Sequence, residues 1–205
     1  DWSSDVCSSD LPANYRMTQL DLDAYDEAVE KAGFHRDEGM CFSMSLFLAK
    51  DFLREGTIRT TFFDEKELSK IAKRHKIYRN NRDKWEKFLE SYHLSATNIC
   101  ARGNGSCSSN FRDDLLYKPD LENLEDGAYY FEFYDGKNSG HAVSIIKQGD
   151  DYTIGDQAFG WKTVDVDTLK LEILDIKETA RKYDGIDYCY FFIKQIDYHP
   201  NQGCF

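Results

Sequence analysis

The chain has 205 residues, 41% hydrophobic and 15% aromatic, which suffices for one domain with a sizeable core and hardly for two. Its 26 Lys and Arg against 37 Asp and Glu leave a net charge of −11, so its surface repels phosphate backbones and anionic leaflets, and nucleic acid is not expected as a partner. No apolar run approaches the ~18 residues that a helical membrane span needs, so no integral membrane segment is expected.

At the N-terminus no basic segment precedes an apolar one, and no Sec-type signal is read. The first ten residues are Ser/Asp-rich and unpatterned. Residues 1–12 are therefore read as a disordered or non-native leader and 13–205 as a single domain.

Leu20 to Ala32 has helical spacing, with Leu20, Ala24 and Ala28 on one face and Gly33 as the stop. From Cys41 to Leu53 the apolar residues Phe42, Met44, Leu46, Phe47, Leu48, Phe52 and Leu53 surround the helix, the pattern of a buried central element ended by Gly56. Asp64 and Glu67 form a capping-box pair for a helix to about Arg79, with Leu68, Ile71, Ala72 and His75 facing inward. Trp85, Phe88, Leu89 and Tyr92 repeat the helical spacing. The basic residues in this region (Lys70, Lys73, Arg74, Lys76, Arg79, Arg82, Lys84, Lys87) read as a solvated helix face.

Ala101 to Asp114 is polar and Gly-rich and reads as a long loop. After Gly127 the period changes. Residues 128–134, 141–147, 152–155 and 188–196 are rich in aromatic and β-branched types and read as strands, with Asp135-Gly136 and Gly149-Asp150 as turns. Val166 to Tyr183 reads as a helix over the sheet edge. Helices followed by an antiparallel sheet define an α+β domain.

The six cysteines (Cys7, Cys41, Cys100, Cys107, Cys189, Cys204) include no CxxC pair, which disfavours a zinc site, and no metal or cofactor is expected. Cys100 and Cys107 flank a loop that a disulfide could close, but for a core of this size free thiols are expected.

Three of the remaining features carry chemistry. Cys41 falls at the first turn of the buried helix, where unpaired N–H groups and the helix dipole favour negative charge and where its own N–H would face a developing oxyanion. His141 opens a strand just after the Asn138-Ser139-Gly140 turn. Asp156 follows on the next strand, where an antiparallel hairpin brings it beside His141 to fix the ring's tautomer. Alone, each has a plain structural explanation: a core cysteine, an exposed histidine, a turn aspartate. Together they form a Cys/His/Asp constellation suited to nucleophilic acyl transfer.

A cysteine heading a buried helix, followed by His and a carboxylate on a later sheet, resembles the papain-like cysteine peptidases. More narrowly, Gly39-Met40-Cys41-Phe42-Ser43-Met44-Ser45, His141-Ala142-Val143 and Gly155-Asp156-Gln157-Ala158-Phe159-Gly160 are similar to the motifs of the YopT/AvrPphB effector family. The resemblance spans about Gly33 to Asp197. It implies a helical part with a buried catalytic helix packed on an antiparallel sheet, Cys41 as nucleophile, His141 as base and acid, and Asp156 as orienter. It further implies a protein substrate in a host cell and delivery by a dedicated secretion system. A monomer is expected.

Two departures stand out. Gln157-Ala158 replaces the family's Pro-Asn, and His35-Arg36-Asp37-Glu38 lacks the amide that papain-like enzymes carry before the nucleophile. The oxyanion candidates are therefore the Cys41 backbone N–H, Gln157, Arg36 and His35. Two other readings use the same residues: a deamidase or transglutaminase, and a papain-fold binding module without catalysis.

Overall fold

The computed structural model describes residues 15–34, 40–80, 85–102, 111, 115, 121–137, 139–157 and 159–200. The leader expectation for residues 1–12 falls outside them.

Helix α1 (Gln19–Lys31) starts at a capping box, in which Thr18 Oγ1 accepts from the Asp21 N–H and the Asp21 carboxylate accepts from the Thr18 N–H. Helix α2 (Cys41–Glu55) buries Cys41 and every residue from Ser43 to Ala49, and it ends on Gly56 at φ 71°, the left-handed geometry that glycine adopts without penalty. Helix α3 (Glu65–Asn80) begins as its sequence predicts: the Asp64 N–H donates to Glu67 Oε2 at 2.9 Å, and the Glu67 N–H to Asp64 Oδ1 at 2.7 Å. Its four inward residues, His75 included, are buried. Lys70, Lys73 and Lys76 are exposed, and Arg74 lies over the Tyr92 ring at 4.3 Å. Helix α4 (Trp85–Glu90) is a single short segment.

The strands are β1 (Tyr15–Arg16), β2 (Leu94–Arg102), β3 (Gly127–Tyr134), β4 (Gly140–Gln148), β5 (Asp151–Asp156), β6 (Gly160–Val164) and β7 (Tyr190–Tyr198). They form one antiparallel sheet in the order β1-β6-β5-β4-β3-β7-β2. The four expected strands are present. The sequence reading missed β1, β6 and β2, and Ala101 and Arg102, assigned to the loop, close β2.

Alternation along the strands gives the sheet two apolar faces. Ala128, Tyr130, Ala142 and Ile146 pack with α1 to α4 in one core. Tyr129, Phe131, Phe133, Val143 and Ile145 pack in a second core with Leu169 and Ile173 of helix α5 (Val166–Thr179). Helix α5 was expected over the sheet edge. It covers the opposite face instead, because its buried stripe meets side chains from the strands' inner length. The protein is thus α+β with helices on both sides of the sheet. Among the described residues, no helix is long and apolar enough to cross a membrane.

Candidate active site

Helix α2 carries Cys41 at its first position, after Met40 as N-cap, and no side chain caps that end. The first-turn N–H groups, Cys41's among them, therefore have no intrahelical partner. The helix is pinned to the sheet by hydroxyls: Ser45 Oγ donates to the Ala142 carbonyl at 2.9 Å, and Ser144 Oγ to the Ser45 carbonyl at 3.0 Å. On its other side, Ser43 Oγ pairs with His75 Nδ1 of α3 at 3.2 Å, and the Tyr92 hydroxyl donates to the Ser43 carbonyl at 3.3 Å. These buried polar groups hold one another in place and fix where Cys41 sits.

His141 enters β4 from a turn stabilised by Asp135, whose carboxylate accepts from the N–H groups of Lys137 at 2.8 Å and Ser139 at 3.1 Å. Asp156 closes β5. The pairing Ser144↔Gly155 places Asp156 diagonally from His141 rather than directly opposite, still within side-chain reach. His141 Nε2 hydrogen-bonds Asp156 Oδ2, the His141 side chain 14% exposed and that of Asp156 2%. With Nε2 committed, Nδ1 is the ring nitrogen left for the thiol, and the Cys41 thiol lies within hydrogen-bonding reach of the ring.

Burial alone would lower the His141 pKa. The Asp156 carboxylate, as a charge and as a bonding partner, outweighs burial with help from Cys41, so the imidazole is raised well above the ordinary histidine value. Tyr188 lies near the same residues. Burial first, and then the nearby charges of Cys41, Asp184 and Asp156, push its phenol far up. Its ring packs on Phe133 at 5.4 Å, and Phe133 lies 6.0 Å from the His141 ring.

The structure therefore brings together Cys41, His141 and Asp156, with Gln157 in the turn after Asp156. His35 and Arg36 lie outside the described residues. The free-thiol expectation needs correction at Cys189, which is disulfide-bonded, while Cys41 is free. Sequence reasoning missed Tyr25 and Tyr188, whose ties to the site run to residues distant in the chain; no local pattern marks them.

Helices packed on an antiparallel sheet, with a cysteine heading the buried helix, define the papain-like fold, and this chain has it. Among solved structures, the chain is similar to the crystal structure of the Pseudomonas avirulence protein AvrPphB, with a TM-score of 0.53 and 12% identity over 79% of this chain and 93% of that one. No family model and no curated protein matches the sequence.

Proposed function

We propose that this chain is a cysteine peptidase, with Cys41 as nucleophile, His141 as general base and acid, and Asp156 as orienter. The observation that carries the reading is one arrangement: a free cysteine at the uncapped head of a buried helix, within reach of a histidine whose far nitrogen is bonded to a buried aspartate.

In this reaction the Cys41 sulfur attacks the scissile carbonyl carbon, and the carbonyl electron pair moves onto oxygen. The oxyanion collapses as the C–N bond breaks, and His141 gives its Nδ1 proton to the departing amine. His141 then takes a proton from water, whose oxygen attacks the thioester and releases the acid and the thiol. The Cys41 N–H is one donor to the oxyanion, and Gln157, His35 and Arg36 are the candidates for the second.

The likeness to an avirulence protein supports an effector or toxin role, with a host protein as substrate and delivery by a dedicated secretion system. The enzyme acts as a monomer and without a cofactor. Incubating the wild type and Cys41→Ser with a host-proteome peptide library, and mapping new N-termini by mass spectrometry, tests the reading. Cleavage that depends on Cys41 supports it. Ammonia release from glutamine side chains without new N-termini would assign the same triad to deamidation.

A further inference from the structure

The phenol of Tyr25, on α1 and nearly buried, sits between the head of α2 and the turn that follows β5. Its oxygen accepts the Met40 N–H at 2.7 Å, and its own proton goes to Gln157 Oε1 at 2.8 Å. Met40 is the N-cap of α2, so its N–H has no partner inside the helix, and Tyr25 supplies one. Two hydrogen bonds through a single oxygen thus join the residue before the candidate nucleophile to the residue after the candidate orienter.

A carboxamide can be turned over without changing its shape, which exchanges donor for acceptor. Tyr25 removes that freedom. Its oxygen is already receiving the Met40 proton, so what it offers Gln157 is a donor, and Gln157 must answer with Oε1. The Nε2 hydrogens are then turned away from the phenol and, among the described residues, have no acceptor. Receiving one bond also strengthens the next one given along such a chain. Burial, and then the negative charges of Cys41, Asp26 and Asp156, hold the phenol far above its ordinary value against the opposing Met40 bond, so the donor is not lost in the working pH range.

We propose that Tyr25 is a positioning residue that presents Gln157 Nε2 as the second oxyanion donor beside the Cys41 N–H, supplying from α1 and the β5–β6 turn what the segment before Cys41 lacks. The inference rests on the reading of Cys41 as an acyl-transfer nucleophile.

Two reactions at one sulfur separate positioning from simple support. Iodoacetamide alkylates Cys41 by displacing iodide at a tetrahedral carbon and forms no oxyanion. With p-nitrophenyl acetate the sulfur bonds the carbonyl carbon, the oxygen becomes an oxyanion, and its collapse expels p-nitrophenolate and leaves acetyl-Cys41. Tyr25→Phe should slow the p-nitrophenolate burst on the order of 10-fold while alkylation of Cys41 stays within about 2-fold of the wild type. Gln157→Glu keeps the acceptor for Tyr25 and the side-chain shape but has no N–H, so it should slow the burst at least as much. Tyr25→Phe should add nothing in a Gln157→Ala background.

Unchanged acetylation in Tyr25→Phe or in Gln157→Glu overturns the inference. So does equal slowing of both reactions by Tyr25→Phe, or loss of that variant's thermal transition, since either assigns Tyr25 to the fold alone. If the folded wild type does not acetylate Cys41 at all, the peptidase reading fails and this inference fails with it. Wild-type acetylation with an unaffected Tyr25→Phe ends this inference only.

Discussion

Ser45 and Ser144 clamp the candidate catalytic helix to the candidate histidine strand: Ser144 Oγ donates to the Ser45 carbonyl at 3.0 Å, and Ser45 Oγ donates to the Ala142 carbonyl, next to His141, at 2.9 Å. Ser45 lies one helical turn beyond Cys41, so the two bonds set how far the thiol stands from the ring. Replacing both serines by alanine removes both bonds and should lower stability by about 1–3 kcal/mol. Turnover should fall while KM stays near the wild type, because the loss lies in alignment rather than in substrate contacts. Urea unfolding and steady-state kinetics on the pair variant check both; unchanged turnover would show that the helix is located by its apolar packing alone.

Asp156→Asn keeps the size of the side chain but removes the charge that raises His141. Turnover should drop by a factor on the order of 10²–10⁴, since the amide no longer fixes the tautomer or supports the imidazolium. The alkaline limb of the kcat/KM profile offers a second readout. In the wild type it should stand well above the ordinary histidine range, because catalysis needs the protonated ring as acid, and in Asp156→Asn it should move down in pH.

The same shift has a consequence for stability, with a definite sign. His141 is raised in the folded protein relative to an unfolded histidine. Its pairing with Asp156 therefore stabilises the fold fully below about pH 6.5, the unfolded value, and that contribution is lost as pH rises through the folded value. The stability difference between the wild type and His141→Gln, followed by denaturant unfolding from about pH 6 to 10, should shrink with rising pH. A difference that grows would mean that the pair does not hold a proton on the ring.

Gly155 has no room for a side chain. A Cβ there would come within 2.2 Å of Leu48 Cδ2 of α2, and Leu48 is buried. Gly155→Ala should destabilise by about 1–3 kcal/mol through overpacking and push α2 from the sheet beside Asp156. In a Leu48→Ala background the same change should cost far less, and this non-additivity is what a double-mutant cycle by thermal unfolding measures.

The parts of the fold that were legible in the sequence are those whose signals are local. The Asp64/Glu67 box, the Gly56 stop, the all-round apolar α2 and the aromatic strands β3 and β7 each declare themselves within a few residues, and the order Cys41, His141, Asp156 pointed to the candidate site. Strand β2 was missed because its pairing with β7 shifts register between Asn98 and Cys100, which breaks the period-2 pattern. Strands β1 and β6 are too short to show a period. The position of α5 depends on which sheet face holds its partners, and the bond between Tyr25 and Gln157 joins residues 132 apart. Neither leaves a trace in a window of sequence.

Selective alkylation tests the nucleophile directly. Reactivity at a thiol follows its anionic form, and an ordinary cysteine with a pKa of ~8.5 is mostly protonated near neutrality. Cys41 heads the uncapped first turn of α2, beside a histidine that Asp156 holds cationic. Cys189 is disulfide-bonded and should not react unless reduced. Its disulfide takes up one of Cys7, Cys100, Cys107 and Cys204, and none of these four has an evident activating partner in the sequence. Limiting iodoacetamide at about pH 6 under non-reducing conditions, with peptide mapping, should therefore modify Cys41 first. His141→Ala should abolish most of that preference and leave the other labelling unchanged. Burial works against Cys41, which is only 4% exposed, so early labelling there reports activation rather than access. Equal modification of Cys41 and of another free cysteine in the wild type would mean that the thiol is not activated, and the papain-like fold would then be read as a binding module.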